Sequence, residues 1–326
     1  MRIGAALAGL ALTAYVVRRE GLAVIASAIR EALPVLPLAM GLEVCRLLFE
    51  TMATRVSLGA RGRAVPLGRL LLGQLAAHAM LNVAPGGRAA AEVTKAALLS
   101  PWVGGAEAAG AGATMQAATF VGVGLMSGAC AAGAYATGGE GTLFWLLVGN
   151  CALLLTLGVG MRALLRSPRA VAWVERRFPR HQGRIERFRD AARAGNLFAF
   201  GPALFLLLGM SCQVAQMRLL SGAVGGSATM AGAFAAQGVH LVMASAALFV
   251  PGQLGAREAA FGLAAKSLGT TPARAATIAI LAHVSQLVLA SLGFITLLAW
   301  RRAKRAPGAA TPGTASSAQP PGPRAA

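Results

Sequence analysis

Charge is scarce in this chain, and acidic charge scarcer still. Only 13% of its 326 residues are charged, with 30 Lys and Arg against 11 Asp and Glu. Soluble domains carry about 25% charged residues. Here 56% are hydrophobic and the mean hydropathy is +0.64, which excludes an ordinary soluble fold. Aromatics are also few, at 6%. None interleave with the basic residues to form a base-stacking surface, so the net charge of +19 does not indicate nucleic acid. The four cysteines, Cys45, Cys130, Cys151 and Cys212, show no C-x-x-C spacing. They read as small buried hydrophobes, with neither a disulfide framework nor a metal site indicated. No H-E-x-x-H, D-x-D or G-x-S-x-G pattern marks an enzyme, and no G-x-x-x-x-G-K-[ST] loop marks direct ATP use. No cofactor is implied.

What the chain has instead is a series of long apolar runs. Only α-helices of about 20 residues satisfy their own backbone in lipid, so these runs predict an all-α, polytopic membrane protein. Its many Gly and Ala residues suit close helix packing. Spans are expected at Ile3 to Val17, Pro34 to Phe49, Ala113 to Tyr135, Leu143 to Met161, Leu197 to Leu219 and Ala275 to Trp300. The second carries Glu43, Arg46 and Glu50 on one helical face, an internal ion pair or a substrate-facing group. Residues 51–69 and 162–193 read as basic loops, the latter solvated or lying among headgroups. A transmembrane domain over 1–300 is followed at 301–326 by a basic, Pro-, Ala-, Gly- and Ser-rich tail, expected to be disordered.

Two stretches repeat a frame. "NVAPGGRAAAEV" ends an apolar run at Pro85-Gly86-Gly87 and places Glu92 seven residues past the proline. "FVPGQLGAREAAF" does the same with Pro251, Gly252 and Gly255, placing Glu258 at the matching offset. The segments leading in carry Gln74 and His78 in one copy and Gln237 and His240 in the other. Arg88 and Lys95 flank Glu92 at helical spacing, and Arg257 adjoins Glu258, so cations are at hand to offset the cost of carboxylates in lipid. The frame suggests an internal repeat, with motifs at 82–92 and 249–258.

Charge placement gives the topology. Short Arg-rich loops belong on the cytoplasmic side. If both basic loops and the C-terminal tail are cytoplasmic, an even number of crossings must separate them. That parity holds if the segment before each Pro-Gly enters, breaks and returns. The reading is about six spans plus two inverted re-entrant helical hairpins, with both termini cytoplasmic.

The same two stretches, "LLLGQLAAHAMLNVAPGGRAAAEVTKAALLS" and "FVPGQLGAREAAF…LGTTPARAATIAI", resemble the signatures of the lysylphosphatidylglycerol synthase transmembrane (flippase-like) family. The resemblance implies a stand-alone member without the aminoacyltransferase domain, in a bacterial inner membrane, in a family that includes hopanoid-associated members. It implies a protein that moves an amphiphilic lipid (a phospholipid, aminoacylated phosphatidylglycerol or a hopanoid) between leaflets, with membrane lipids as its partners. The substrate-binding candidates are Glu258, Arg257, Glu92, Arg88, Lys95, His240, Gln237 and His78; pseudo-symmetry brings Glu92 and Glu258 toward one cavity. A small-solute or ion transporter on the same hairpins is the alternative. A lipid-modifying enzyme, using those carboxylates with His78, His240 and His283, has no motif to support it. The topology has a direct check: Arg63→Cys and Arg184→Cys should resist impermeant thiol reagents in intact cells, and a cysteine near Gly225 should label. Labelling of Arg184→Cys from outside would overturn it.

Overall fold

The computed structural model describes residues 22–84, 87–193, 199–226, 228–246 and 255–305, and every regular element among them is helical. Helix α1 (Leu22–Ala32) passes through one 3-10 turn, Leu33–Val35, into α2 (Leu36–Ser57). Pro34 and Pro37 fall in opening turns, where a missing N–H costs nothing. The chain therefore stays rod-like, and Ala26–Ser57 forms one apolar stretch of 32 residues. This is longer than the span expected at Pro34 to Phe49, and its last two turns occupy what reads in sequence as the start of a loop. The polar residues there are absorbed by the helix itself. Thr51, Thr54 and Ser57 each donate to the carbonyl one turn back, at 2.8, 3.1 and 2.8 Å.

After a single turn at Arg61–Ala64 come α3 (Leu67–Val83) and α4 (Gly87–Val103), 17 residues each, packed side by side as a hairpin. Each arm is about 25 Å long, short of the roughly 30 Å hydrocarbon layer. Gly104, at φ +89°, breaks the chain, and α5 (Gly105–Gly138) follows with 34 residues. Next are α6 (Thr142–Arg166), the short helices α7 (Pro168–Arg177) and α8 (Gln182–Arg193), and α9 (Phe200–Ala223). The second half then runs through the same order. Helix α10 (Met230–Ala246) has 17 residues and α11 (Ala256–Leu263) has 8; Gly269 breaks the chain at φ +62°, and α12 (Pro272–Arg305) has 34. The second arm is shorter because turns replace helix from Ala264 to Gly269.

Five stretches among the described residues are long and apolar enough to cross a membrane: Ala26–Ser57, Gly105–Gly138, Thr142–Arg166, Phe200–Ala223 and Pro272–Trp300. The protein is a multi-pass helical membrane protein. The span expected at Ile3 to Val17, the tail beyond Arg305, and Pro85, Gly86, Pro251 and Gly252 all lie outside the described residues.

The stretch 162–193, expected as a solvated or headgroup-lying loop, is largely helical, and part of it is docked. Arg162 is 0% exposed and donates to Thr114 Oγ1 at 3.1 Å and to the carbonyl of Ala192. Arg166 and Arg193 each donate to the other's carbonyl, at 3.2 and 2.9 Å. The last carbonyls of a helix have no partner within it. Here arginines supply those partners and pin the end of α8 to α5 and α6.

Small residues set the closest crossings. A Cβ on Gly293 of α12 would meet the carbonyl oxygen of Leu75 on α3 at 2.1 Å, whereas Gly149 of α6 has nothing within 4 Å. Gly293→Ala should therefore lower stability by about 1–3 kcal/mol through overpacking. Gly149→Ala should be neutral or gain up to about 1 kcal/mol from helix propensity. Thermal unfolding in detergent distinguishes the two, and equal melting would refute the close crossing.

Candidate functional site

Between the α3–α4 hairpin and helices α2, α5, α6, α9, α10 and α12 lies a cavity of about 790 Å³. Most of its wall is apolar: Leu81, Ala96, Phe120, Val123, Leu206 and Met210 are typical. Into that wall project Arg46, Glu50, His78, Arg88, Glu92, His240, Arg257 and Gln286. Part of the lining reaches the outer surface of the bundle. Val93 of α4 is 69% exposed and Leu153 of α6 is 56% exposed, and both border the cavity.

The charged groups form one connected chain. Glu92 on α4 meets Lys95 Nζ at 2.9 Å. Lys95 donates to Gln74 Oε1 and Thr54 Oγ1, each at 3.2 Å. Gln74 Nε2 donates to Glu50 Oε2 at 2.7 Å. Glu50 and Glu43 then hold Arg46 from both sides, with Arg46 Nη2 2.7 Å from Glu43 Oε1 and Nη1 bonded to Glu50 Oε1. Arg46 Nη2 lies 3.5 Å from His78 Nδ1, and His78 Nε2 lies 3.3 Å from the Gln286 carbonyl. The tautomer protonated on Nε2 satisfies both contacts. Finally, Arg257 Nη1 donates to Gln286 Oε1 at 2.9 Å. The chain thus runs from Glu92 of the first motif to Arg257 of the second, by way of α2, α3 and α12.

Local structure explains how each group arrives. Glu43, Arg46 and Glu50 share one face of α2, at i, i+3 and i+7. Gln74 and His78 are one turn apart on α3, as are Glu92 and Lys95 on α4. Gly87 opens α4 where a Cβ would strike the Leu81 carbonyl at 2.2 Å, so only glycine lets the hairpin close this tightly. Gly255, at φ +78°, caps the start of α11.

The structure separates the sequence candidates into two layers. Glu92, Arg88, His78, His240 and Arg257 line the cavity. Lys95, Gln237 and Glu258 are buried behind it. The pairings also differ from those expected by proximity in sequence. Arg88 donates to Thr119 on α5 at 3.2 Å, and Glu258 Oε1 is met by His283 Nδ1 of α12 at 3.4 Å. Gln237 donates to Gln213 of α9 at 3.2 Å. Gln286 and Gln213 carry no motif in the sequence. The spacing of Gln286 from His283, one turn on the same helix, was the only available signal.

A family model for the lysylphosphatidylglycerol synthase TM region matches residues 2–293. The chain belongs to this family. No curated protein and no solved structure matches it. All residues of the chain from Glu92 to Arg257 fall inside the stretch shared with the lysylphosphatidylglycerol synthase TM region.

Arg46 is the member whose loss should be felt most. Arg46→Met strands Glu43 and Glu50 without their cation, and breaking a buried pair this way costs about 3–5 kcal/mol. Replacing all three, as Glu43→Gln, Arg46→Met and Glu50→Gln together, should recover most of that stability in a detergent melt. A single variant that melts with the wild type would show that the network does not hold these helices together.

Proposed function

We infer that the protein moves an amphiphilic lipid between leaflets of a bacterial inner membrane, with both termini cytoplasmic and the two motif segments arranged as an inverted pair. The observation that carries this reading is the shape of the cavity wall. Charged groups stand at its back, while exposed apolar side chains such as Val93 and Leu153 stand at its rim. A headgroup can occupy the charged part while its acyl tails remain in lipid past that rim. Arg46, Arg88, Arg257, Glu50 and Glu92 all line the cavity, so both signs of charge are available to a headgroup. The family match to a lysylphosphatidylglycerol synthase TM region supports a role in lipid handling. In this reading the partners are membrane lipids (phospholipid, aminoacylated phosphatidylglycerol or hopanoid), and no covalent bond of the lipid is made or broken.

Arg88 and Glu92 are the groups to test, because both face the cavity. Arg88→Gln shortens a side chain whose hydrogen bond is to Thr119, so accumulation in the membrane should change little. Glu92→Gln matches the wild type in size but takes the carboxylate from buried Lys95, so it should lower the melting temperature while Gln74 and Thr54 still accept from Lys95. Each removes a charged contact with the headgroup worth about 1.5–3 kcal/mol, which predicts a roughly ten- to hundredfold fall in lipid movement. The measurement is leaflet-resolved lipid analysis of a deletion strain complemented with wild type or variant. Full activity in both variants would remove the cavity from the mechanism. Solute uptake by the purified protein in liposomes, with no change in lipid distribution, would favour a small-solute transporter.

A further inference from the structure

Glu258 is a carboxylate that the cavity does not explain. It is 6% exposed and lies behind the lining, where a headgroup does not reach it. Its Oε1 is held by His283 Nδ1 at 3.4 Å, and His283 is itself 3% exposed. Two further atoms of this pair, Glu258 Oε2 and His283 Nε2, are buried without a hydrogen-bond partner. Buried polar atoms left unsatisfied are costly and rare. Here both are positions where a proton can bind.

We propose that the Glu258–His283 pair is a proton-binding site through which a proton gradient drives the transport cycle. With His283 donating from Nδ1 to an ionised Glu258, the pair carries one negative charge. Uptake of one proton at Nε2 converts it to an imidazolium–carboxylate pair with no net charge, and its release restores the first state. No other bond changes. The chain carries no nucleotide-binding loop of the Walker type, so a gradient is the energy source that fits its residues.

The surroundings connect this charge change to the cavity. From the same short helix, Arg257 adjoins Glu258 and lines the cavity. From α12, Gln286 stands one turn beyond His283 and accepts from Arg257 at 2.9 Å. From α10, His240 lines the cavity with its own Nδ1 unpartnered, within electrostatic reach of Arg257 and His283. Further off, Arg46 and Glu43 of α2 act on Arg257. Neutralising the pair by protonating His283 therefore alters the balance on a guanidinium that faces the substrate. Intramembrane Glu and His pairs serve as proton relays in pumps and transporters on the same physical ground.

This proposal rests on the transport reading, and the experiment separates the two. The full-length protein in lipid nanodiscs is titrated in unbuffered solution, with the imidazole ring modes followed by infrared spectroscopy. Over the whole titration, wild type should take up about one proton more per chain than Glu258→Gln or His283→Asn. In a second arm, liposomes of phosphatidylethanolamine and phosphatidylglycerol with a trace of NBD-labelled phosphatidylglycerol are given a pH gradient. The gradient should change the wild-type rate of label movement at least about fivefold, while the variants keep only the gradient-free rate. If Glu258→Gln fails to fold, His283→Asn carries both arms. A wild type that titrates like the variants, or moves lipid equally with and without the gradient, overturns the proposal and leaves the transport reading standing. A wild type that moves no lipid overturns both.

Discussion

A guanidinium inside an apolar bundle has to be matched almost atom for atom, and Arg46 sets that requirement for the whole interior. Its charge is taken up by Glu43 and Glu50 on its own helix, so the burden passes to two carboxylates. Those in turn need donors, and Gln74 of α3 supplies one at 2.7 Å. Gln74 then has an oxygen to satisfy, which fixes Lys95 of α4 and, through it, Glu92. Each group in the series answers a need created by the previous one. Because the penalty for an unmatched charge at this depth is about 2.5–3.5 kcal/mol even on lenient scales, the hairpin cannot shift relative to α2 without breaking several links at once.

Packing supplies the other half of the explanation. In lipid there is little hydrophobic drive between helices, so association depends on close contact and on polar links. Gly293 against the Leu75 carbonyl and Gly158 against Val121 and the Ala117 carbonyl bring backbones together. The cavity survives within this tight packing because charged side chains occupy its back wall and α6 presents much of its surface outward. The bundle is close-packed where helices cross and open where the hairpin faces α6.

The sequence was informative wherever the signal was local. The apolar runs and the i, i+3, i+7 face of α2 are readable because neighbours in sequence are neighbours on a helix. Glu92 and Lys95 pair as their spacing suggests. Distant pairings left no such trace. His78 reaches Gln286 across a separation of 208 residues, and Lys95 reaches Thr54 across 41. Arg257 and Glu258 are adjacent, yet successive helical side chains point about 100° apart, so one enters the cavity and the other turns to His283. Arg162 misled for a related reason. Basic residues near a span usually mark solvent, and burial of this one depends on the free carbonyls of a helix that ends 30 residues later.

The paired long helices carry a mechanical implication. At 34 residues each, α5 and α12 measure about 51 Å, well beyond a hydrocarbon layer of roughly 30 Å. No tilt in the usual range of 0–40° takes up that excess, so both must extend beyond the hydrocarbon layer on at least one side. A glycine at positive φ precedes each, Gly104 directly and Gly269 three residues ahead. A rod that extends past the hydrocarbon layer and starts at a break in the chain behaves as a lever. Small rotations at the break become displacements of many ångströms at the far end, where bilayer thickness, crowding or a neighbouring protein can push back on it.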